Sequence, residues 1–416
     1  MTPPVLSPQD HPWLRDERLQ AVFDALEAES GKARVVGGAI RNALFGEPVV
    51  DVDLATTETP ERVIDLGMRA GLRSVPTGVA HGTVTVIATS GDGPKAFEVT
   101  TLRRDVATDG RHAEVAFTDD WAQDAARRDF TINALYCDRH GKIYDPLSIY
   151  EDLLKKRIRF VGDPIARVRE DYLRILRLFR FAARYGPDGI DPASLSACAA
   201  EQQGLARLSP ERVRQEWLRL IVAPWSLPVA GTMGELGILA HFLGPVISVE
   251  RLKRLGKIES FLGLEPDFLL RSFNLAGGDS ALVMRLRDRL RLTNDERERL
   301  ERLVAAGPVT PGLRPNERRA VLYRLGPQTF RDAVLTAWCG GNRPTEDEVW
   351  RELFLLPEQW PIPSFPLRGS DLLERGIKPG PEFGGLLRAL EDWWIASDFA
   401  ESRDELLARI GALRQG

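Results

Sequence analysis

The chain has 416 residues, 43% of them hydrophobic and 28% charged, with a formal net charge of −4. These values suit a soluble globular protein of roughly two to four domains and exclude a disordered or strongly basic chain, while leaving room for local basic patches. No charged-then-apolar leader and no apolar run of about 18 residues is present, and Cys137, Cys198 and Cys339 are too far apart for a zinc spacing or a disulfide framework, so a cytoplasmic protein with no membrane contact is expected.

In chain order, ARVVGG reads as a strand that meets a short helix between Gly38 and Gly46. Glycine lets a backbone approach a ligand and a helix N-terminus favours phosphate, so Gly37-Gly38 is a candidate phosphate contact; a glycine pair by itself is more often just a tight turn. Arg41, one turn into that helix, can reach the same anion. Residues 49–56, VVDVDLAT, read as the next strand. Alternation sends Val50, Val52 and Leu54 to a core and puts Asp51 and Asp53 side by side on the other face, about 6–7 Å apart at Cα. Adjacent anions repel and lose hydration, so a cation suits them, and oxygen ligands suit Mg²⁺. An edge strand with a solvated polar face fits this stretch equally well.

ERVIDLGMRAG, from Glu61, reads as a helix, and TVTVIAT, KAFEVTTL and INALYCD as strands. Glu98 shares a face with Thr100; beside the aspartate strand it would complete a three-carboxylate cluster, and otherwise it is an exposed strand glutamate. DVATDGRHAEVAF, from Asp105, is polar and reads as a mobile loop. Arg127 and Arg128 enter the apolar stretch FTINAL, which is costly without an anion; a salt bridge to Asp124 or Asp129 would also meet that need. A turn at residues 139–142 closes a last hairpin, KIYDP. Beyond Asp145-Pro146 the pattern is amphipathic helix throughout, broken near Pro187, Pro224, Gly244, Pro308, Pro327 and Pro361. The fold class is therefore α+β: a head with a mixed sheet and helices, followed by an all-α remainder.

Residues 167–186, RVREDYLRILRLFRFAARYG, read as one helix with Leu173, Leu176, Phe179 and Ala183 as its apolar stripe. Asp171, Arg174, Arg177 and Arg180 form a polar ridge beside it. An Asp–Arg pair sets an acceptor next to a donor, which matches the amine and ring nitrogen of cytosine or adenine and leaves uracil and guanine with unpaired groups. A solvated i,i+3 ion pair is the plainer reading.

Together GGAIRN with DVD, FEVTTLR, RRDFTINAL, DPLSIYEDL, REDYLRILRLFRFAARYG and LSPERVRQE resemble, in order and over residues 35–216, the class II tRNA nucleotidyltransferases, the CCA-adding enzymes, and their bacterial poly(A) polymerase relatives. PLRGSDLLERGIKPGPEFGGLL, from Pro366, resembles that family's C-terminal glycine-rich motif. The resemblance implies a polymerase-β-like nucleotidyltransferase head at 1–146, then an elongated helical neck at 147–222, body at 223–330 and tail at 331–416, the tail binding tRNA. It implies that Asp51 and Asp53 hold Mg²⁺, that Gly38, Arg41 and Arg128 hold the triphosphate, that Asp171 and Arg174 read the base, and that Arg177 and Arg180 support base and phosphates. The loop from Asp105 would help switch from CTP to ATP, and SPERVRQE would brace the base-reading helix. Asn42 departs from the family, which commonly has Asp there, and LSIYED replaces a glycine pair.

The implied activity is template-independent addition of CCA to the 3′ end of tRNA from CTP and ATP, by two-metal nucleotidyl transfer with release of pyrophosphate. Glu98 is a candidate to orient or deprotonate the attacking hydroxyl. Poly(A) addition, a CC-only or A-only enzyme, and a non-catalytic RNA-binding protein are the alternatives. The acidic C-terminal end lacks the basic extension of poly(A) polymerases, Asp105, Arg111 and His112 speak against a CC-only enzyme, and intact Asp51, Asp53 and Arg128 speak against a non-catalytic one. Lys253, Arg254, Lys257, Arg318 and Arg319 cluster locally and are candidates for backbone contacts to tRNA. The protein is expected to be a monomer or a homodimer.

Overall fold

The computed structural model describes residues 2–109, 112–278, 280–377 and 380–413. The chain divides into two compact units, Met1–Phe242 and Leu243–Gly416.

The first unit opens with helix α1 (Glu17–Leu26), whose first turn is capped by Asp16 accepting from the Arg18 amide at 3.0 Å. There follow β1 (Ala33–Val36), α2 (Gly38–Leu44), β2 (Asp53–Thr56), α3 (Pro60–Arg69), β3 (Arg73–Gly78), β4 (Thr83–Ser90), β5 (Gly93–Thr101), β6 (Arg103–Asp109), β7 (His112–Phe117), α4 (Trp121–Ala126), β8 (Tyr136–Cys137) and β9 (Ile143–Tyr144). Seven strands form one mixed sheet in the order β3-β4-β5-β2-β1-β8-β9, with β2 parallel to β5 and the other pairs antiparallel. Alternation builds its core: Val84, Val86 and Ala88 on β4, and Phe97 and Val99 on β5, are buried with Val35 and Leu54.

Four expectations change here. The strand expected at 49–56 begins only at Asp53; Val52 and Leu54 are buried, but Val50 is 71% exposed and joins no core. β3, RSVPTG, was not expected; Pro76 cannot donate to a ladder and is tolerated because β3 is the edge strand. The expected loop from Asp105 is instead the paired hairpin β6–β7, with Arg111 outside the described residues. INALYCD contributes only Tyr136 and Cys137 to the sheet, after a 3-10 turn at Thr131–Asn133.

After β9 come α5 (Tyr150–Leu154), α6 (Pro164–Glu170), α7 (Leu173–Tyr185), α8 (Pro192–Ala200), α9 (Pro210–Ile221) and α10 (Ser226–Glu235). The single helix expected at 167–186 is broken at Asp171, which is extended at φ −156° and ψ 107°. Its carboxylate accepts from the Leu173 amide at 3.1 Å, and its carbonyl from the Arg174 amide at 3.0 Å. The aspartate thus satisfies donors that the start of α7 would otherwise leave orphaned. α7 packs on α9 and α10. Ring contacts of Phe130 with Phe181 (5.1 Å between centroids) and Phe45 with Tyr185 (5.0 Å) join α7 to the head, and Phe130 also stacks on Phe160 (4.8 Å).

The second unit is helical in its described residues, including Val249–Leu262, Phe268–Leu275, Asn294–Ala306, Pro315–Gly340, Glu348–Gln359, Pro381–Ala396 and Arg403–Leu413. Pro315–Gly340 bends where Gly326 takes φ 71° ahead of Pro327, a left-handed conformation that glycine accepts readily. The buried pair Arg271–Glu259 is doubly bonded, at 2.6 and 2.9 Å. Leu372, Leu390, Trp394 and Leu406 centre a further core in the last third. Among the described residues no helix is long and apolar enough to cross a membrane.

Candidate active site

The sheet register sets the carboxylates. β2 pairs in parallel with β5 through Leu54 and Val99, so Asp53 lies one step from Leu54 and Glu98 one step from Val99, on adjacent strands. Asp51 precedes the strand. Asp53 is accessible to solvent yet has protein on most sides, and burial, Glu98 and Asp51 push its carboxyl up to about 6 against the opposing pull of Arg128. The three carboxylates therefore share one electrostatic neighbourhood that is short of positive charge. Among the described residues no three carboxylate, histidine or cysteine side chains are gathered as a ready-made metal cage.

Asp51 and Asp53 line a cleft of about 710 Å³ together with Gly37, Gly38, Arg41, Arg128, Asn133, Arg177 and Arg180. Gly37 takes φ 74°, which a side chain would strain, and turns the chain from β1 into α2. α2 is only 7 residues long, so the cations beside it matter more to an anion than its dipole. The Arg41 guanidinium is held by Asn133 through Nη1 and by Asn42 through Nη2 at 3.0 Å, while its buried Nε has no acceptor among the described residues. Asn42 also donates to the Pro48 carbonyl at 3.1 Å, so it acts as a spacer between Arg41 and the segment leading to Asp51. Arg128 donates to buried Asp124 at 3.0 Å and to the Tyr136 hydroxyl at 3.3 Å, and Tyr136 donates in turn to Asp124 at 2.7 Å. Of the two acidic partners weighed for Arg127 and Arg128, the structure selects Asp124 for both.

The far wall is α7. Arg177 donates to Asp129 at 2.7 Å and Arg180 to Glu216 of α9 at 2.5 Å. Burial works against the Asp129 charge, but Arg177 and the Asn133 amide hold its carboxyl down to about 2. Phe181 lies under three guanidiniums, those of Arg180 (4.3 Å), Arg41 (5.2 Å) and Arg177 (5.8 Å), so its ring helps keep these cations together. The cleft thus combines carboxylates on one side with arginines on two others, the charge pattern that a nucleoside triphosphate with a divalent cation would fill.

Asp171 and Arg174 are not in the lining of this cleft. The expected i,i+3 pair between them is absent: Asp171 accepts from Arg212 of α9 at 2.6 Å, and Arg174 bonds Glu170 and, at 2.8 Å, the Arg167 carbonyl. Glu98 is also outside the lining but close enough to raise Asp53. The five basic candidates of the second unit separate by partner. Arg254 donates to the carbonyls of Trp338, Cys339 and Arg343, Arg318 to those of Pro311 and Leu313, and Arg319 to Asp398. Lys253 and Lys257 are exposed, one turn apart on Val249–Leu262.

Asn133, Arg212 and Glu216 were not picked out individually in the sequence, and Asp129 was weighed only as a partner of Arg127 and Arg128. A signal existed for two pairs: Asp129 and Asn133 are four apart in RRDFTIN, and Arg212 and Glu216 four apart in SPERVRQE, spacings that put both members on one side of a helical turn.

Fold and site together define a nucleotidyltransferase. A family model described as "Poly A polymerase head domain" matches residues 33–159, and one described as "Probable RNA and SrmB- binding site of polymerase A" matches residues 189–250. The chain is 35% identical to the human protein named CCA tRNA nucleotidyltransferase 1, mitochondrial, over 95% of this chain and 90% of that one. Its fold matches the Bacillus stearothermophilus CCA-adding enzyme solved in complex with CTP, at a TM-score of 0.74 and 24% identity, over 96% of this chain and 97% of that one. It likewise matches the Thermotoga maritima CCA-adding enzyme solved with tRNA, at a TM-score of 0.67 and 19% identity, over 98% and 96%. The chain belongs to the class II tRNA nucleotidyltransferase family, the CCA-adding enzymes.

Proposed function

We propose that this chain adds CCA to the 3′ end of tRNA, using CTP and ATP and releasing pyrophosphate. One observation carries the reading: a single cleft unites Asp51 and Asp53 with Arg41, Arg128, Arg177 and Arg180 in a chain 35% identical to a CCA tRNA nucleotidyltransferase. The division of labour follows the sequence: residues 1–146 as catalytic head, 147–222 as base-reading neck, 223–330 as body and 331–416 as tRNA-binding tail. Three buried free thiols suit a reducing compartment, and we place the protein in the cytoplasm.

The tRNA 3′-hydroxyl oxygen attacks the α-phosphorus in line, and the new P–O bond forms as the bond to the pyrophosphate oxygen breaks. Arg41, through its unpaired Nε, and Arg128 hold the triphosphate, with Gly38 leaving room for it. Glu98 orients or deprotonates the hydroxyl. Asp51 and Asp53 would hold Mg²⁺, which would lower the hydroxyl pKa and supply positive charge at the departing oxygen; the donor set fits because it is all oxygen and Asp53 is already destabilised as an anion. Asp171 accepts from the base amine while Arg174, whose Nη1 is committed to Glu170 and Arg167, uses Nη2 on the ring nitrogen. Arg177 and Arg180 support base and phosphates.

The test is stepwise addition to tRNA transcripts ending before C74, after C74 and after C75, with each triphosphate alone and together. This reading expects two C additions, then one A, then arrest. Continued A addition to any RNA end would instead make the chain a poly(A) polymerase, and arrest after CC would make it a CC-adding enzyme.

A further inference from the structure

A second cleft, of about 640 Å³, is lined by Arg127, the neighbour in sequence of the Arg128 that lines the first. Its lining is Arg104 of β6, Gln123 and Ala126 of α4, Arg127, and Arg167 and Glu170 of α6. Three of these six groups are guanidiniums, and the only carboxylate, Glu170, is already bonded to Arg167 at 2.5 Å and to Arg174. Arg167 is 7% exposed, and its Nε has no acceptor among the described residues. A buried donor left unpaired is costly, which marks a place where an acceptor belongs. Arg104 is exposed, and no partner for its side chain is recorded among the described residues.

The wall between the two clefts is built from both sides. Asp124 holds Arg127 at 2.7 Å and Arg128 at 3.0 Å, and these consecutive side chains line opposite clefts. Arg167 braces the same wall by donating to the carbonyls of Arg127 and, at 2.8 Å, of Arg128. The triphosphate has its donors on the Arg41 and Arg128 side. The second polyanion in the reaction is the RNA strand, whose end must reach Asp51 and Asp53 while the phosphates behind that end remain close by.

We propose that the cleft of Arg104, Arg127 and Arg167 holds phosphodiester oxygens of the RNA strand immediately behind its reacting 3′ end, a proposal that rests on the CCA-addition reading. Guanidinium forks suit such oxygens, and a backbone contact here is indifferent to the base, as a site serving all three additions must be.

The test compares Arg104→Gln and Arg104→Lys with the wild type in two assays: binding of a tRNA ending in C75 by fluorescence anisotropy over a salt series, and binding of CTP without RNA. Arg104 is exposed on a hairpin strand, so the fold should survive its replacement. Arg104→Gln should weaken tRNA binding roughly threefold to tenfold at low salt and flatten the log–log salt slope by about 0.7 to 1. CTP binding should not change, and Arg104→Lys should restore most of the slope. Wild-type tRNA affinity and slope in Arg104→Gln and in the double Arg104→Gln, Arg127→Gln variant, with the wild type adding CCA normally, overturns the cleft assignment alone. A loss that falls on CTP or pyrophosphate binding assigns the cleft to the nucleotide and also overturns it. A wild type that neither binds tRNA nor extends it overturns both readings.

Discussion

The Asp171 carboxylate accepts from the Arg212 guanidinium at 2.6 Å, although Arg174 is nearer in sequence. The acceptor proposed to read the base is thus positioned from α9, not from its own segment. Replacing Arg212 by Ala should leave Asp171 free to move and lower discrimination against UTP and GTP, with little change in the KM for CTP. Misincorporation rates with all four triphosphates check this; unchanged selectivity would confine Arg212 to packing.

Asp171→Ala should relax base choice more than it weakens triphosphate binding, because Arg41 and Arg128, the proposed triphosphate contacts, are left in place. Two mismatched contacts in a closed pocket cost about 1–3 kcal/mol each, so loss of both readers should forfeit roughly a hundredfold or more of discrimination. Wild-type preference for C and A in both Asp171→Ala and Arg174→Ala would remove these residues from base reading.

Asn133 accepts from Arg41 and donates to Asp129 at 3.2 Å, so one amide orients both the proposed triphosphate contact Arg41 and the acid that holds Arg177. Asn133→Ala should raise the KM for CTP and for ATP by the same factor, about tenfold, since the triphosphate is common to both. Unequal factors would show that Asn133 acts on the base instead.

The raised Asp53 carboxyl gives a pH signature without metal. Its folded value of about 6 lies above the ordinary 3.8, so its favourable contribution is complete only below about pH 4 and is lost as pH rises through 6. Asp53→Asn should therefore melt higher than the wild type at pH 7 to 8, with the gap closing between pH 6 and 4. Asp129, held low, titrates in both proteins and cancels. A gap independent of pH would mean that the carboxylates do not interact.

In the second unit, Glu259 and Arg271 are both buried and bonded to each other. Glu259→Ala leaves a buried cation short of its partner and should cost about 3–5 kcal/mol of stability, read by denaturant unfolding. Lys253→Gln with Lys257→Gln should leave stability unchanged and reduce tRNA affinity and its salt slope, whereas Arg254→Ala should lower the melting temperature because three carbonyls lose their donor.

What the sequence made legible follows from local physics. β1, β4 and β5 were readable because their apolar residues alternate and are covered, and Asp53 and Glu98 stood out because each interrupts such a run; they lie on adjacent strands, but among the described residues no three carboxylates are gathered. The break at Asp171 was hidden because the apolar spacing of residues 167–186 continues through it; only the aspartate's bonds to the backbone of α7 end α6 there. Likewise VVDVDLAT looks like one strand, but Val50 has nothing to cover it. The partners of the site, Asn133 for Arg41, Glu216 for Arg180 and Arg212 for Asp171, lie 92, 36 and 41 residues away along the chain, beyond any local pattern.

The central claim is that Asp51 and Asp53 form the reacting end of the cleft. Single-turnover addition of CTP to a tRNA lacking CCA, in Mg²⁺, by Asp51→Ala and Asp53→Ala checks it most directly, with circular dichroism and tRNA affinity confirming that each variant is folded. C addition should fall by at least about a thousandfold in both, with tRNA binding retained. Addition near the wild-type rate by either folded variant would contradict it.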